Sequence, residues 1–278
     1  MKFGIFGINT GPCADPEVAA AVAVAAESAG FDSVWTGEHV VLPDPQVPPS
    51  PAPPDFPMLD PAVALAFLAG RTRTLRLATG IVILPQRNPL VLAKELASVD
   101  VVSGGRLIFG LGAGYLQPEF DALGAPFSDR GPRTSEAIEV VRALWTQQNP
   151  HFDGRFWSFS GIQTLPRPVQ RPHPPIVVGG HSPPAFRRAV AQGDGWYGFA
   201  LDPDATRQCL RGLERAERAA TPRRARLEIS VTPGVALDRD VVRRYEDLGV
   251  DRLVPMARGR SADALLEFVS RTADALAT

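Results

Sequence analysis

Asp15-Pro16, Asp60-Pro61, Asn88-Pro89, Ser182-Pro183 and Asp202-Pro203 repeat one device, a helix-capping side chain followed directly by proline. The capping oxygen accepts from the free N–H groups of the first turn, and proline at the first helical position gives up a donor that has no partner there. Each pair marks a helix start. Between them stand short apolar runs without polar alternation, which read as strands buried on both faces. They lie near 2 to 8, 33 to 37, 76 to 83, 106 to 112, 175 to 179, 195 to 200, 227 to 232 and 251 to 256. Glycine stops recur in the same rhythm, as in Gly30-Phe31-Asp32-Ser33-Val34-Trp35 and Gly249-Val250-Asp251-Arg252-Leu253-Val254.

Eight such strands alternating with helices predict a parallel α/β fold, a single (β/α)8 TIM barrel whose functional groups gather where strands end. The chain has 278 residues, and such barrels run to about 250 as one unit, so residues 1 to 278 are expected to form one domain. An open doubly wound sheet would need a glycine-rich fingerprint after its first strand, and Asn9-Thr10-Gly11-Pro12 is not one. Two insertions interrupt the spacing. Residues 42 to 57, after strand 2, are rich in proline. Residues 150 to 175, after strand 4, carry Phe152, Phe156, Trp157 and Phe159, with a hairpin expected around Asp153-Gly154. Their aromatic content and length predict walls of an apolar substrate pocket.

Lys+Arg number 29 against Asp+Glu 30, so no basic surplus points to nucleic acid. Cys13 and Cys209 are far apart and match no metal or disulfide spacing, which predicts a reduced, cytoplasmic setting and no metal. No apolar stretch is long enough for a membrane span, and the N-terminus runs straight into a strand-like segment rather than a signal-peptide layout. Only Lys2 and Lys94 are lysines, while Arg, Ala, Gly and Pro abound, a bias typical of GC-rich coding.

Two strand ends carry chemistry. Thr36-Gly37-Glu38-His39 places an imidazole after a buried strand, where it serves equally well as a structural hydrogen-bond partner or a proton carrier. Ile176-Val177-Val178-Gly179-Gly180-His181-Ser182-Pro183 runs from a strand through two glycines into a helix, an arrangement that suits either a plain turn or an anion held by free amides and the helix dipole.

From Arg76 to Tyr115 the chain reads Arg-Leu-Ala-Thr-Gly-Ile-Val-Ile-Leu-Pro-Gln-Arg-Asn-Pro, a helix, then Ser-Gly-Gly-Arg-Leu-Ile-Phe-Gly-Leu-Gly-Ala-Gly-Tyr. This segment resembles the luciferase-like monooxygenase superfamily, barrels that bind FMN or the deazaflavin F420, and Glu38-His39 resembles its F420-dependent oxidoreductase branch. The resemblance implies a hydride transfer between F420 and an organic substrate, with His39 as the catalytic residue at the reacting ring carbon and Glu38 positioning the ring or orienting His39. It implies a cofactor cradle of Glu38, His39, Thr79, Gly80, Ile81, Gly112, Ala113, Gly114, Tyr115, Gly179, Gly180, His181 and Ser182. Gly80-Ile81 stands where the superfamily often has a non-proline cis bond, and Gly179 to Ser182 where it holds phosphate. Arg87 and Arg133 fit the pattern and suit a surface role equally. The resemblance also implies a homodimer, a small-molecule substrate, and no nucleic-acid or membrane partner. Sugar-phosphate dehydrogenases of the superfamily use pocket lysines that this chain lacks, so their substrate does not transfer. A reduced-FMN monooxygenase shares nearly all these motifs, and a non-catalytic flavin- or F420-binding relative would share the glycines.

Overall fold

The eight apolar runs become the strands of a closed parallel barrel in a computed structural model of the protein, which describes residues 1–220 and 225–276. They are β1 (Lys2–Phe6), β2 (Ser33–Thr36), β3 (Arg76–Thr79), β4 (Leu107–Gly112), β5 (Ile176–Gly179), β6 (Gly195–Leu201), β7 (Glu228–Pro233) and β8 (Arg252–Leu253). Each pairs in parallel with its neighbours in the chain. Lys2 beside Arg252 and Phe3 beside Leu253 close the ring. The helices are α1 (Pro16–Ser28), α2 (Pro61–Arg71), α3 (Pro89–Val102), a short α4 (Gln117–Ala122), α5 (Arg130–Thr146), α6 (Pro183–Gln192), α7 (Pro203–Ala219), α8 (Arg239–Asp247) and α9 (Ala262–Leu276).

All the expected helix starts are present, and Asp15, Asp60, Asn88 and Asp202 accept from the amides of the helices they precede. Ser182 does not; its hydroxyl makes no capping bond. The strands carry no polar alternation because both faces are covered. Val34, Leu77, Leu107, Phe109 and Val178 pack outward in the large cluster shared with the helices. Trp35, Ala78, Ile108, Val177, Tyr197 and Val254 fill the barrel interior, with Phe6 and Ile81 against them. Trp35 stacks on Tyr197 with ring centroids 5.0 Å apart, and Ala78 leaves room for the large rings.

The two insertions part company. Phe56 to Leu59 dock on the loop after β1, where Gly11 donates to the Pro57 carbonyl at 2.9 Å and Leu59 to that of Asn9 at 2.9 Å. This places the end of the first insertion at the C-terminal rim. Residues 150 to 175 do not wall a pocket there. Their hairpin forms as expected, Phe152 opposite Phe159, but it lies against α5, whose Glu136 accepts from the amides of Arg155, Phe156 and Trp157. The following stretch runs beneath the barrel: Gln170 bonds Leu107 and Arg76, the first residues of β4 and β3, and the amide of Val169 donates to Asp100 near the end of α3. The segment precedes β5, and a connection from helix to strand must arrive at the strand's N-terminal end.

The same lower end carries a built carboxylate. Glu27, in the last turn of α1, accepts from the amides of Arg73, Thr74 and Leu75 and from the Thr74 hydroxyl. Burial pushes this carboxyl up, but the four donors outweigh it and hold it at about 2 instead of 4.5. A lowered folded value contributes stability that is complete above 4.5 and lost as the pH falls toward 2. Glu27→Gln is expected to cost roughly 1 kcal/mol at neutral pH, with water screening the partly exposed carboxylate, and to flatten the acid limb of a urea-denaturation series.

Candidate active site

The chain that holds His39 begins at β1. Asn9 is fully buried; its amide nitrogen donates to the carbonyls of Gly37 at 2.9 Å and Leu59 at 2.6 Å, and its oxygen accepts from the Gly37 amide at 2.9 Å. The turn after β2 is thus pinned on both sides of one residue. The next donor in line, the amide of His39, points at the Met58 sulfur. The imidazole itself is 9% exposed, and its Nδ1 lies 3.0 Å from Glu119 Oε2. Glu119 comes from α4, its side chain is fully buried, and its other oxygen accepts from the Val40 amide at 2.6 Å.

Burial alone would raise the Glu119 carboxyl, but the His39 imidazole, the Gln86 amide and the Val40 N–H outweigh it and hold it below its ordinary value. An ionised carboxylate only accepts, so Nδ1 of His39 carries a hydrogen, and in the neutral ring this leaves the lone pair on Nε2. Tyr115 Oη stands 3.5 Å from that nitrogen. Burial and the neighbouring Glu119 charge push the phenol up, so it remains a donor. The result is an imidazole of fixed orientation with one working nitrogen.

Glu38 has another role than orienting His39. Its carboxylate is bonded by the Ile83 amide and by Nε of Arg87 at 2.8 Å and by Arg87 Nη2. Arg87 also bonds Asp60 at 2.6 Å. Burial is the largest influence on Glu38 and pushes its carboxyl up, against the pull of Arg87 and the Ile83 amide. Glu38 and Arg87 therefore clamp the segments that follow β2 and β3 to Asp60 at the start of α2. Arg133 pairs instead with Asp129 at 2.9 Å and covers the Phe156 ring of the outer hairpin.

The glycine rim divides in the same way. Thr79 is not free to meet a ligand: its hydroxyl donates to the Gly110 carbonyl at 2.6 Å and accepts from the Gly110 amide at 2.8 Å, pinning β3 to β4. Gly80-Ile81 is a cis peptide bond. Gly112 and Gly179 flank Ile81, and a Cβ on them would lie 2.7 and 3.0 Å from its side chain. Gly114 has φ 74° and would press a Cβ against Ile83 and Phe120, so its glycine answers to the turn and to packing rather than to a ligand. Ala113 is half-buried and Tyr115 is 49% exposed.

Gly180, with φ 125°, turns the chain from β5 into α6. Here His181 Nε2 accepts from the Phe199 amide at 3.0 Å, which leaves the hydrogen on Nδ1, and burial lowers its pKa in keeping with a neutral ring. Neither His181 Nδ1 nor the Ser182 hydroxyl has a partner among the described contacts, so both donors stand open at the helix start. Phe199 joins them to the mouth of the barrel, 38% exposed and edge-on to Phe6 at 5.0 Å.

Glu119, Gln86, Phe6 and Phe199 are absent from the sequence reading. An acid just after the Gly112–Tyr115 turn and aromatics at strand ends were the available signals, since barrel chemistry sits in those loops. No helix among the described residues is long and apolar enough to cross a membrane.

With this geometry in view, the comparisons with known proteins are specific. A family model described as luciferase-like monooxygenase matches residues 1–267. The chain is 33% identical over 270 residues to an uncharacterized protein of Mycobacterium tuberculosis, covering 93% of both. It is 33% identical over 170 residues to the oxygenase component of a flavin-dependent trigonelline monooxygenase of Acinetobacter baylyi, covering 60% of this chain and 44% of that protein. Among solved structures it superposes on monooxygenase RslO1 of Streptomyces bottropensis with TM-score 0.80 and 24% identity, covering 100% of this chain and 99% of that one. An F420-dependent secondary alcohol dehydrogenase superposes with TM-score 0.78 and 18% identity, covering 97% of each chain.

Proposed function

The chain belongs to the luciferase-like monooxygenase family, and from that premise we propose that it is an F420-dependent oxidoreductase moving a hydride between the deazaflavin and an organic substrate. The observation that carries the reading is the His39–Glu119 pair, which presents one imidazole nitrogen beside Tyr115. When bound, F420 would supply a carrier of one hydride, that is, of two electrons and one proton together. A carbinol carbon that gives up hydride from its C–H bond forms a carbonyl as its hydroxyl O–H releases a proton, and Nε2 of His39 would accept that proton, or return it in the reverse direction. The residues present fit such a group. At Gly80, Gly112 and Gly179 a Cβ would meet Trp35 or Ile81, so these glycines let the interior pack closely at the rim, and His181 Nδ1 and Ser182 Oγ offer uncommitted donors of the kind a phosphate takes.

In this reading Tyr115 keeps Nε2 oriented, Glu119 fixes the imidazole, and the Glu38–Arg87 clamp holds the loop that carries them. The full-length match to an F420-dependent alcohol dehydrogenase supports the choice of deazaflavin. The similarity to a flavin-dependent oxygenase component favours the second reading, a reduced-FMN monooxygenase on the same scaffold. Titrating the purified protein with F420 and with FMN, each followed by fluorescence, separates them. Micromolar F420 binding with weak FMN binding is expected; tight FMN binding with no response to F420 would overturn the proposal.

A further inference from the structure

Ala200, with φ 55°, is the one residue other than glycine in the left-handed region among the described residues. A Cβ crowds the backbone in that region, so such a residue persists only where its surroundings hold it, and strain of this kind gathers where ligands are clamped. Here it has a local cause. Gly198 pairs with Val231 and Leu201 with Pro233, so Phe199 and Ala200 together stand opposite Thr232 alone. That is a β-bulge at the C-terminal end of β6. Gly234 on β7 makes room for it, since a Cβ there would lie 2.7 Å from the Ala200 carbonyl oxygen.

The bulge decides where two side chains go. Strict alternation from Tyr197, which fills the barrel interior, would turn both Phe199 and Leu201 inward. Instead Leu201 packs outward with the helix-facing residues, and Phe199 alone stays at the mouth. Its amide donates to His181 Nε2 at 3.0 Å. Its ring ends a column of aromatic side chains: Trp35 on Tyr197 at 5.0 Å, Tyr197 against Phe199 at 6.4 Å, and Phe199 against Phe6 at 5.0 Å. Trp35 and Tyr197 are buried and Phe199 is exposed, so the column is open at its upper end. Phe6 in turn reaches the turn after β2, where a Cβ on Gly37 would come within 3.3 Å of its ring. Phe199 and Phe6 thus bridge the mouth from His181 to the segment that carries His39.

We propose that Phe199 is a binding residue for a planar conjugated ring with an anionic arm, and that Ala200 is the residue that positions it. The ring lies on Phe199 and Phe6, with the arm at His181 and Ser182 and one edge toward His39. That this ring is the redox cofactor rests on the hydride-transfer reading above; the platform itself rests on the packing alone. Offset and edge-on aromatic contacts favour a conjugated ring over an aliphatic one of the same size. A platform held in place before the ligand arrives loses little freedom when it binds.

Fluorescence titration with F420 and with FMN tests this on the wild type, Phe199→Leu, Phe199→Tyr and Ala200→Gly. Phe199→Leu is expected to weaken ring binding about five- to tenfold, the worth of an aromatic contact beyond its area, and Phe199→Tyr to keep it. Inorganic phosphate stands in for the arm alone. It should shift the His181 imidazole NMR signals equally in the wild type and in Phe199→Leu, because leucine retains the amide that holds His181. Ala200→Gly is expected to raise the urea midpoint, since glycine adopts the left-handed region freely, and yet to weaken ring binding at least about threefold as Phe199 loses its fixed position. Absence of binding of either cofactor to the wild type, full ring affinity in Phe199→Leu or in Ala200→Gly, or a phosphate response lost with the Phe199 ring would overturn the proposal. If FMN binds and F420 does not, the hydride-transfer reading fails, and the platform is judged on FMN by the same criteria.

Discussion

Replacing His39 by alanine is expected to lower turnover roughly 10²- to 10⁴-fold, the range spanned by a positioned general acid–base, while F420 affinity stays within about threefold. The two effects separate because in the proposed reaction the imidazole would meet the reacting atoms, whereas His181 and Ser182 stand apart from it in the turn between β5 and α6. Glu119→Gln tests the partner. Its oxygen can still accept from Val40, but its amide offers a donor toward Nδ1, and the imidazole loses the carboxylate that fixes its tautomer. A loss on the order of tenfold to a hundredfold in kcat is expected, with KM little changed. Nitrogen NMR of the ring should show a single tautomer in the wild type and a mixture in the variant, a readout that mere destabilisation would leave alone. Because the Glu119 carboxyl is held below its ordinary value of 4.5, it stays ionised through that region, and its contribution is lost only as the pH falls through the lowered value. An acid limb centred at an ordinary carboxylate value, present in the wild type and missing from Glu119→Gln, would contradict this assignment.

The barrel was legible because every local signal agreed: caps, glycine stops and strands apolar on both faces have few alternatives at this spacing. His39 was legible as a polar group at a strand end. Glu119 was not, since it meets His39 across 80 residues of chain from a six-residue helix whose insertion only the fold explains. Glu38 misled for a related reason. Its neighbour in sequence is His39, but successive residues at a strand end point to opposite sides, and it turns toward Arg87 instead. Thr79 shows the same limit, because a hydroxyl's partner is settled by strand register, here against Gly110. The misplaced insertion at 150 to 175 shows a different one. Aromatic content announces burial, and only chain direction tells which end of a barrel a connection reaches.

Arg252→Ala is expected to lower the unfolding free energy by about 3 to 5 kcal/mol, the usual consequence of removing one member of a buried charge network. The guanidinium is fully buried at the lower end of the barrel, bonding Asp32 through Nε at 3.1 Å and Nη2 at 2.9 Å, Ser230 at 3.1 Å, and Glu228. It also lies 5.7 Å from the Trp35 ring, at the base of the same stack that carries Ile81 and Phe6. Burial alone would push the Glu228 carboxyl up; Arg252 and Lys2 outweigh it and hold it below its ordinary value. In the wild type that contribution is therefore complete above 4.5 and lost as the pH falls through the lowered value. In the variant, Glu228 keeps only Lys2, at 2.9 Å, and burial then pushes its carboxyl toward the protonated form. Between about pH 7 and pH 5 the variant should gain stability on acidification while the wild type does not, so the two urea midpoints converge as the pH is lowered. Midpoints that fall in parallel over that interval would mean that the loss comes from the missing packing on Trp35 rather than from the Glu228 carboxylate.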